Sequence, residues 1–167
     1  MNILQLFITF SVSILISFNA MAEESELSWV FEHSAATAEM NSDTTLVMPA
    51  TEKIKAYTDK PDRLHAQMDS RQFMSLWDEG GILSAKSEPP KAILAWDNGN
   101  NWDDIVVFIT NAEIVGDGSS ISYEVKIETD EIPPDKMVNT YLYVWPAKCL
   151  HCVFICGDFI FDWYCDK

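Results

Sequence analysis

Ile93-Leu94-Ala95-Trp96, Asp97-Asn98-Gly99-Asn100-Asn101, Ile105-Val106-Val107-Phe108-Ile109, Gly116-Asp117-Gly118 and Ile121-Ser122-Tyr123-Glu124-Val125-Lys126-Ile127 form the stretch on which the fold class turns. Three apolar, β-branched runs are separated by two clusters of turn residues, and Asn-Gly in the first cluster is a strong hairpin signal. In the last run Ile121, Tyr123, Val125 and Ile127 alternate with Ser122, Glu124, Lys126 and Glu128, the period of a strand with one wet face. The reading is an antiparallel meander.

Working outward, Trp29-Val30-Phe31, Leu46-Val47-Met48 and Ile54-Lys55-Ala56-Tyr57 read as short strands, and Met137–Trp145 and Val153–Trp163 add β-rich segments. One helix is predicted over about 70–79. Asp69 can cap it, Gln72 can reach back, Met68 and Phe73 are placed as a hydrophobic staple, and Gly80-Gly81 can stop it. The class is mainly β, an antiparallel sandwich or curled sheet with one short helix.

The chain has 167 residues, 48% of them apolar, which suits one globular domain with a real core. Its net charge of −15 opposes binding to nucleic acid or an anionic membrane. Residues 1–22 carry no charged side chain, have an apolar centre and end in Ala20-Met21-Ala22, so they read as a signal peptide cleaved after Ala22. An uncleaved anchor is the alternative, since the segment has no Lys or Arg. The stretch is too short and too rich in hydroxyls for a good span, and no later segment qualifies. The expectation is an exported protein, periplasmic or extracellular and monomeric. Its β-rich domain covers 23–148 and a Cys-rich tail covers 149–167.

The cysteines, Cys149, Cys152, Cys156 and Cys165, all lie in that tail. Export makes two disulfides the expected state, with all three pairings open, holding a hairpin turned at Gly157-Asp158. A zinc knuckle including His151 is the alternative, but the Cys spacing does not supply two close ligand pairs.

The run Tyr57-Thr58-Asp59-Lys60-Pro61-Asp62-Arg63, then Phe73 and Trp77, then Pro89-Pro90-Lys91-Ala92-Ile93-Leu94, resembles a family of small exported bacterial proteins with a Y-[ST]-D-[RK]-P-x-R stretch, an F-x3-W helix and a P-P-x-A-x-L strand entry. The resemblance spans roughly Ser28 to Tyr143 and leaves the tail outside. It implies an exported single domain and no particular activity.

Four groups are candidate sites. Tyr57, Asp59, Asp62 and Arg63 gather charge in one loop, with Arg63 as anion receptor; the same residues can simply lock a turn. Asp97, Asp103 and Asp104 offer oxygens to calcium, although the loop lacks EF-hand spacing and reads first as a hairpin tip. His33, His65 and His151 are scattered, with no nucleophile elbow nearby, and His65, in a strand, reads as a partly exposed bystander. Among the tryptophans, Trp77 and Trp96 fall at core-like positions and Trp102 follows a turn, where it can meet a ligand. No cofactor is expected. The functional expectation is a non-enzymatic binding protein for an unidentified protein or small ligand; the alternatives are a secreted hydrolase using His and Asp side chains and a calcium-binding β domain.

Overall fold

The computed structural model describes residues 29–58, 64–85, 88–129 and 131–147, together with the backbone of 154–156 and 159–161. The described residues are mainly β with one short α-helix. In chain order the elements are β1 (Trp29–Ser42), β2 (Thr45–Pro49), β3 (Ile54–Thr58), β4 (His65–Met68), α1 (Ser70–Ser75), β5 (Lys91–Asp97), β6 (Trp102–Val115), β7 (Ser120–Ile127), β8 (Lys136–Trp145), β9 (Phe154–Cys156) and β10 (Phe159–Phe161).

The expected meander is present as β5, β6 and β7, each antiparallel to the next, with Ile93 opposite Val106 and Ile109 opposite Val125. The main sheet runs β2-β7-β6-β5-β8-β1-β3-β4, and β2 also pairs with β1. That extra pairing, Glu39 with Val47 and Met40 with Leu46, closes six strands into a barrel, so the sheet curls to closure instead of stacking as a sandwich. The 14-residue β1 makes closure possible. One edge pairs with β8 from Phe31 to Glu39, while the other edge serves β3 at its start and β2 at its end. Register shifts between Met40 and Ser42, Ala95 and Asp97, and Ile109 and Asn111 supply the bends that a small barrel needs. Asn139, beside the second shift, has φ +48°.

Period-two alternation fills the lumen. Phe31, Leu46, Met48, Ala92, Leu94, Val107, Ile109, Ile121, Tyr123, Leu142 and Val144 are buried there. The helix joins this core at Phe73, whose ring lies 5.7 Å from Phe31 and 6.1 Å from Trp77. Asp69 Oδ1 accepts the Gln72 N–H at 2.8 Å and Gln72 Oε1 accepts the Asp69 N–H at 2.9 Å, completing the expected capping box.

The helix is shorter than expected, ending at Ser75 rather than near residue 79. Its last turn tightens, with the N–H groups of Leu76 and Trp77 donating three residues back to Phe73 and Met74. Leu83 N–H then donates to the Leu76 carbonyl, so the chain reverses at once. Gly81 is required at this reversal, because a Cβ there would collide with the Leu76 carbonyl.

β9 and β10 form a separate antiparallel pair across residues 157–158, with Ile155 opposite Ile160. Residues 1–22, which the sequence reading takes as a signal peptide, and the sulfur chemistry of the tail cysteines lie outside the described residues. Among those residues no helix is long and apolar enough to cross a membrane.

Candidate functional site: the outer aromatic face

If alternate residues of β1, β5 and β8 fill the lumen, the intervening ones face outward, and on this barrel many of them are apolar. Val30, Ile93, Tyr143 and Trp145 form a second cluster, with Tyr57, Val106 and Tyr141 packed against it. Strand register explains the assembly. Val30 lies opposite Tyr57, Ile93 lies between Tyr143 and Val106, and Lys91 lies opposite Trp145. Glu32 lies opposite Tyr143 on one side and Lys55 on the other, and its carboxylate accepts the Lys55 ammonium at 2.6 Å.

The aromatic rings continue toward the hairpin tip. Tyr141 and Tyr143, two residues apart on β8, stack at 6.0 Å with planes 6° apart, and Trp102 meets Tyr141 edge-on at 5.5 Å. Trp102 is 43% exposed, whereas Tyr143 is 4% exposed, so the ladder has an open end and a closed end. Asp104 lies opposite Ala95, which in turn lies opposite Tyr141, and this places a carboxylate beside the open end. Although the residue stays exposed, loss of surrounding water, then Glu131 and Asp103, push the Asp104 carboxyl above its ordinary range. The open end therefore combines aromatic faces with concentrated negative charge.

Two of the sequence candidates, Tyr57 and Trp102, are thus brought to one face by strands distant in sequence. Asp59, Asp62 and Arg63 lie outside the described residues. The residues on either side bond each other, Thr58 N–H donating to the Leu64 carbonyl at 2.9 Å and Leu64 N–H to Thr58 Oγ1 at 3.0 Å.

The calcium candidates stand at a hairpin tip whose oxygens serve its own donors. Asp97 Oδ1 accepts Gly99 N–H, Asn98 Oδ1 accepts the N–H groups of Asn100 and Asn101, and Asp103 Oδ2 accepts the Asn98 amide. Among the described residues no group of three or more His, Cys, Asp or Glu side chains converges as a metal site.

His33, one of the scattered histidines, is fully buried in the lumen. Its Nε2 is 2.9 Å from the Pro49 carbonyl, which can only accept, so Nε2 carries the proton and Nδ1 accepts from the Tyr123 hydroxyl at 2.8 Å. Burial lowers the His33 pKa to about 4, opposed by the Pro49 contact, and raises that of Tyr123. Both ring nitrogens are committed and neither partner is a carboxylate, an arrangement suited to holding a polar lumen together rather than to acid–base chemistry. The signal for it was its parity with Trp29, Phe31 and Ala35. His65 is exposed on β4, and His151 lies outside the described residues.

Compared with protein-family models, curated proteins and solved structures, the chain matches none.

Proposed function

We propose that this protein is a non-enzymatic binding protein whose contact surface is the open end of the outer aromatic face, and that its partner is cationic. One observation carries this reading: exposed Trp102 continues a ladder through Tyr141 to Tyr143, with Asp104 on the same face and the charges of Glu131 and Asp103 acting on that carboxylate. Aromatic faces and carboxylates together favour a lysine, arginine or quaternary ammonium group, and the net charge of −15 steers such a partner inward. In this reading the chain is exported by the leader at Met1–Ala22, works as a monomer outside the cytoplasm and carries disulfides in its tail.

The test is a titration of the full chain with an Arg/Lys-containing peptide and with its Glu-substituted counterpart, followed by tryptophan fluorescence and calorimetry. The basic peptide is expected to bind with salt-sensitive affinity, and Trp102→Ala to weaken it by roughly two- to fivefold, the loss of one cation–π contact at an exposed site. Equal binding of both peptides, or an unchanged Trp102→Ala variant, overturns the reading.

A further inference from the structure

The closed end of the aromatic face presents a physical problem. Val30, Ile93 and Trp145 are each 5% exposed and Tyr143 4%, yet the described apolar side chains packed with them all belong to the same sheet, from β1, β3, β5, β6 and β8. Neighbours within one sheet cannot hide an outward-facing surface from water; a second layer is needed. Glu32, a charged group 8% exposed, shares that face. Tyr57, Lys91, Tyr143 and Trp145 each engage a polar or ring partner besides those named above.

We propose that the covering layer is the C-terminal segment 148–167 of the same chain, docked as a hairpin over Val30, Ile93, Tyr143 and Trp145. Continuity favours it. Trp145 ends β8 on this face, and only Pro146 and Ala147 separate it from the tail. Size favours it as well. β9 and β10 are three residues each, about 10 Å long, and the β1-β8-β5 patch spans two strand spacings, also about 10 Å. The tail supplies Val153, Phe154, Ile155, Phe159, Ile160, Phe161 and Trp163, an apolar set that a two-stranded hairpin cannot bury alone. The segment entering β1 instead carries Glu23, Glu24 and Glu26, which would stand beside Glu32. The cover defines the binding surface proposed above, because it leaves only the Trp102–Tyr141 end open; the docking itself does not depend on that binding.

A photoreactive benzoylphenylalanine at Val106, at the margin of the patch, tests the docking in the full chain. Irradiation followed by peptide mapping is expected to join residue 106 to the peptide covering 148–167. Cross-links to residues 1–28, to the 59–63 loop, to a second copy, or none at all, overturn the proposal. Should the substituted chain fail to fold, zero-length carbodiimide coupling of the unmodified protein reads the same contact: Lys91 is expected to join Asp158, Asp162 or Asp166, and its absence from tail cross-links counts against docking. Success here with failure of the peptide titration would leave the cover standing and remove the cationic-partner reading.

Discussion

His33 Nδ1 accepts a 2.8 Å hydrogen bond from the hydroxyl of Tyr123 across the barrel lumen, joining β1 to β7, which do not pair with each other in the sheet. With Nε2 donating to the Pro49 carbonyl of β2, one neutral imidazole ties three strands together. The ring of Tyr123 also meets Trp77 at 6.4 Å, so the polar tie extends into the aromatic plug supplied by the helix region.

That neutral ring makes stability depend on pH in a defined direction. The pKa of His33 is about 4 in the folded protein against 6.5 when exposed, so the unfolded chain binds the proton more readily. The contribution is fully present above pH 6.5, shrinks as pH falls toward 4, and changes little below that. Its size is on the order of 3 kcal/mol. Urea unfolding of the wild type and His33→Gln between pH 7.5 and 3.5 checks it, with the variant expected to show the flatter profile. Parallel profiles would remove His33 as the cause.

Tyr123→Phe keeps the ring and deletes the hydroxyl, stranding the His33 Nδ1 lone pair in a buried site. A loss of about 1–3 kcal/mol is expected, the penalty for an unpaired buried acceptor. Denaturant midpoints with an unchanged slope would identify it as a native-state effect. A double variant with His33→Gln should be non-additive, because the two side chains share one hydrogen bond.

The meander was legible in the sequence because its strands alternate cleanly and its turns carry Gly and Asn, as at Gly99 with φ +88°. Barrel closure was not. It depends on β1 continuing through the weakly apolar Ser34–Ser42 and pairing with three strands, which no local pattern encodes. The aromatic ladder was half legible: Tyr141, Tyr143 and Trp145 recur at period two, but Leu142 and Val144 between them are equally apolar, so β8 reads as buried on both sides. Which side faced the lumen was set by the partners of β8, not by β8. The helix start was readable from Asp69 and Gln72, whereas its end depends on the distant return of Leu83 to Leu76.

Asp69→Ala removes the cap from a helix of only six residues, for an expected cost of about 1 kcal/mol. Phe73→Ala, by contrast, empties a fully buried site between Phe31 and Trp77 and should cost about 3–5 kcal/mol. Thermal melts of the two variants separate anchoring by the cap from anchoring by packing. If Asp69→Ala equals or exceeds Phe73→Ala, the helix is held chiefly by its cap.

Asp104 gives a pH test that distinguishes binding from folding, because the two respond with opposite sign. Its carboxyl is held above the ordinary range by loss of water and by the charges of Glu131 and Asp103, so it takes up a proton at a higher pH than a free carboxyl. Lowering the pH through that range relieves repulsion within the folded protein, so this group's effect on stability becomes more favourable as it protonates. The same proton removes a negative charge from beside Trp102 and Tyr141, and affinity for a cationic peptide should fall over the same interval. In Asp104→Asn, binding is expected to be weaker at neutral pH and less pH-dependent, while the folded state is no less stable than wild type. Calorimetric titrations across pH 7 to 4, paired with melts of the unliganded proteins, read both signs. A variant that binds the basic peptide as tightly as wild type at pH 7 would take Asp104 out of the contact surface.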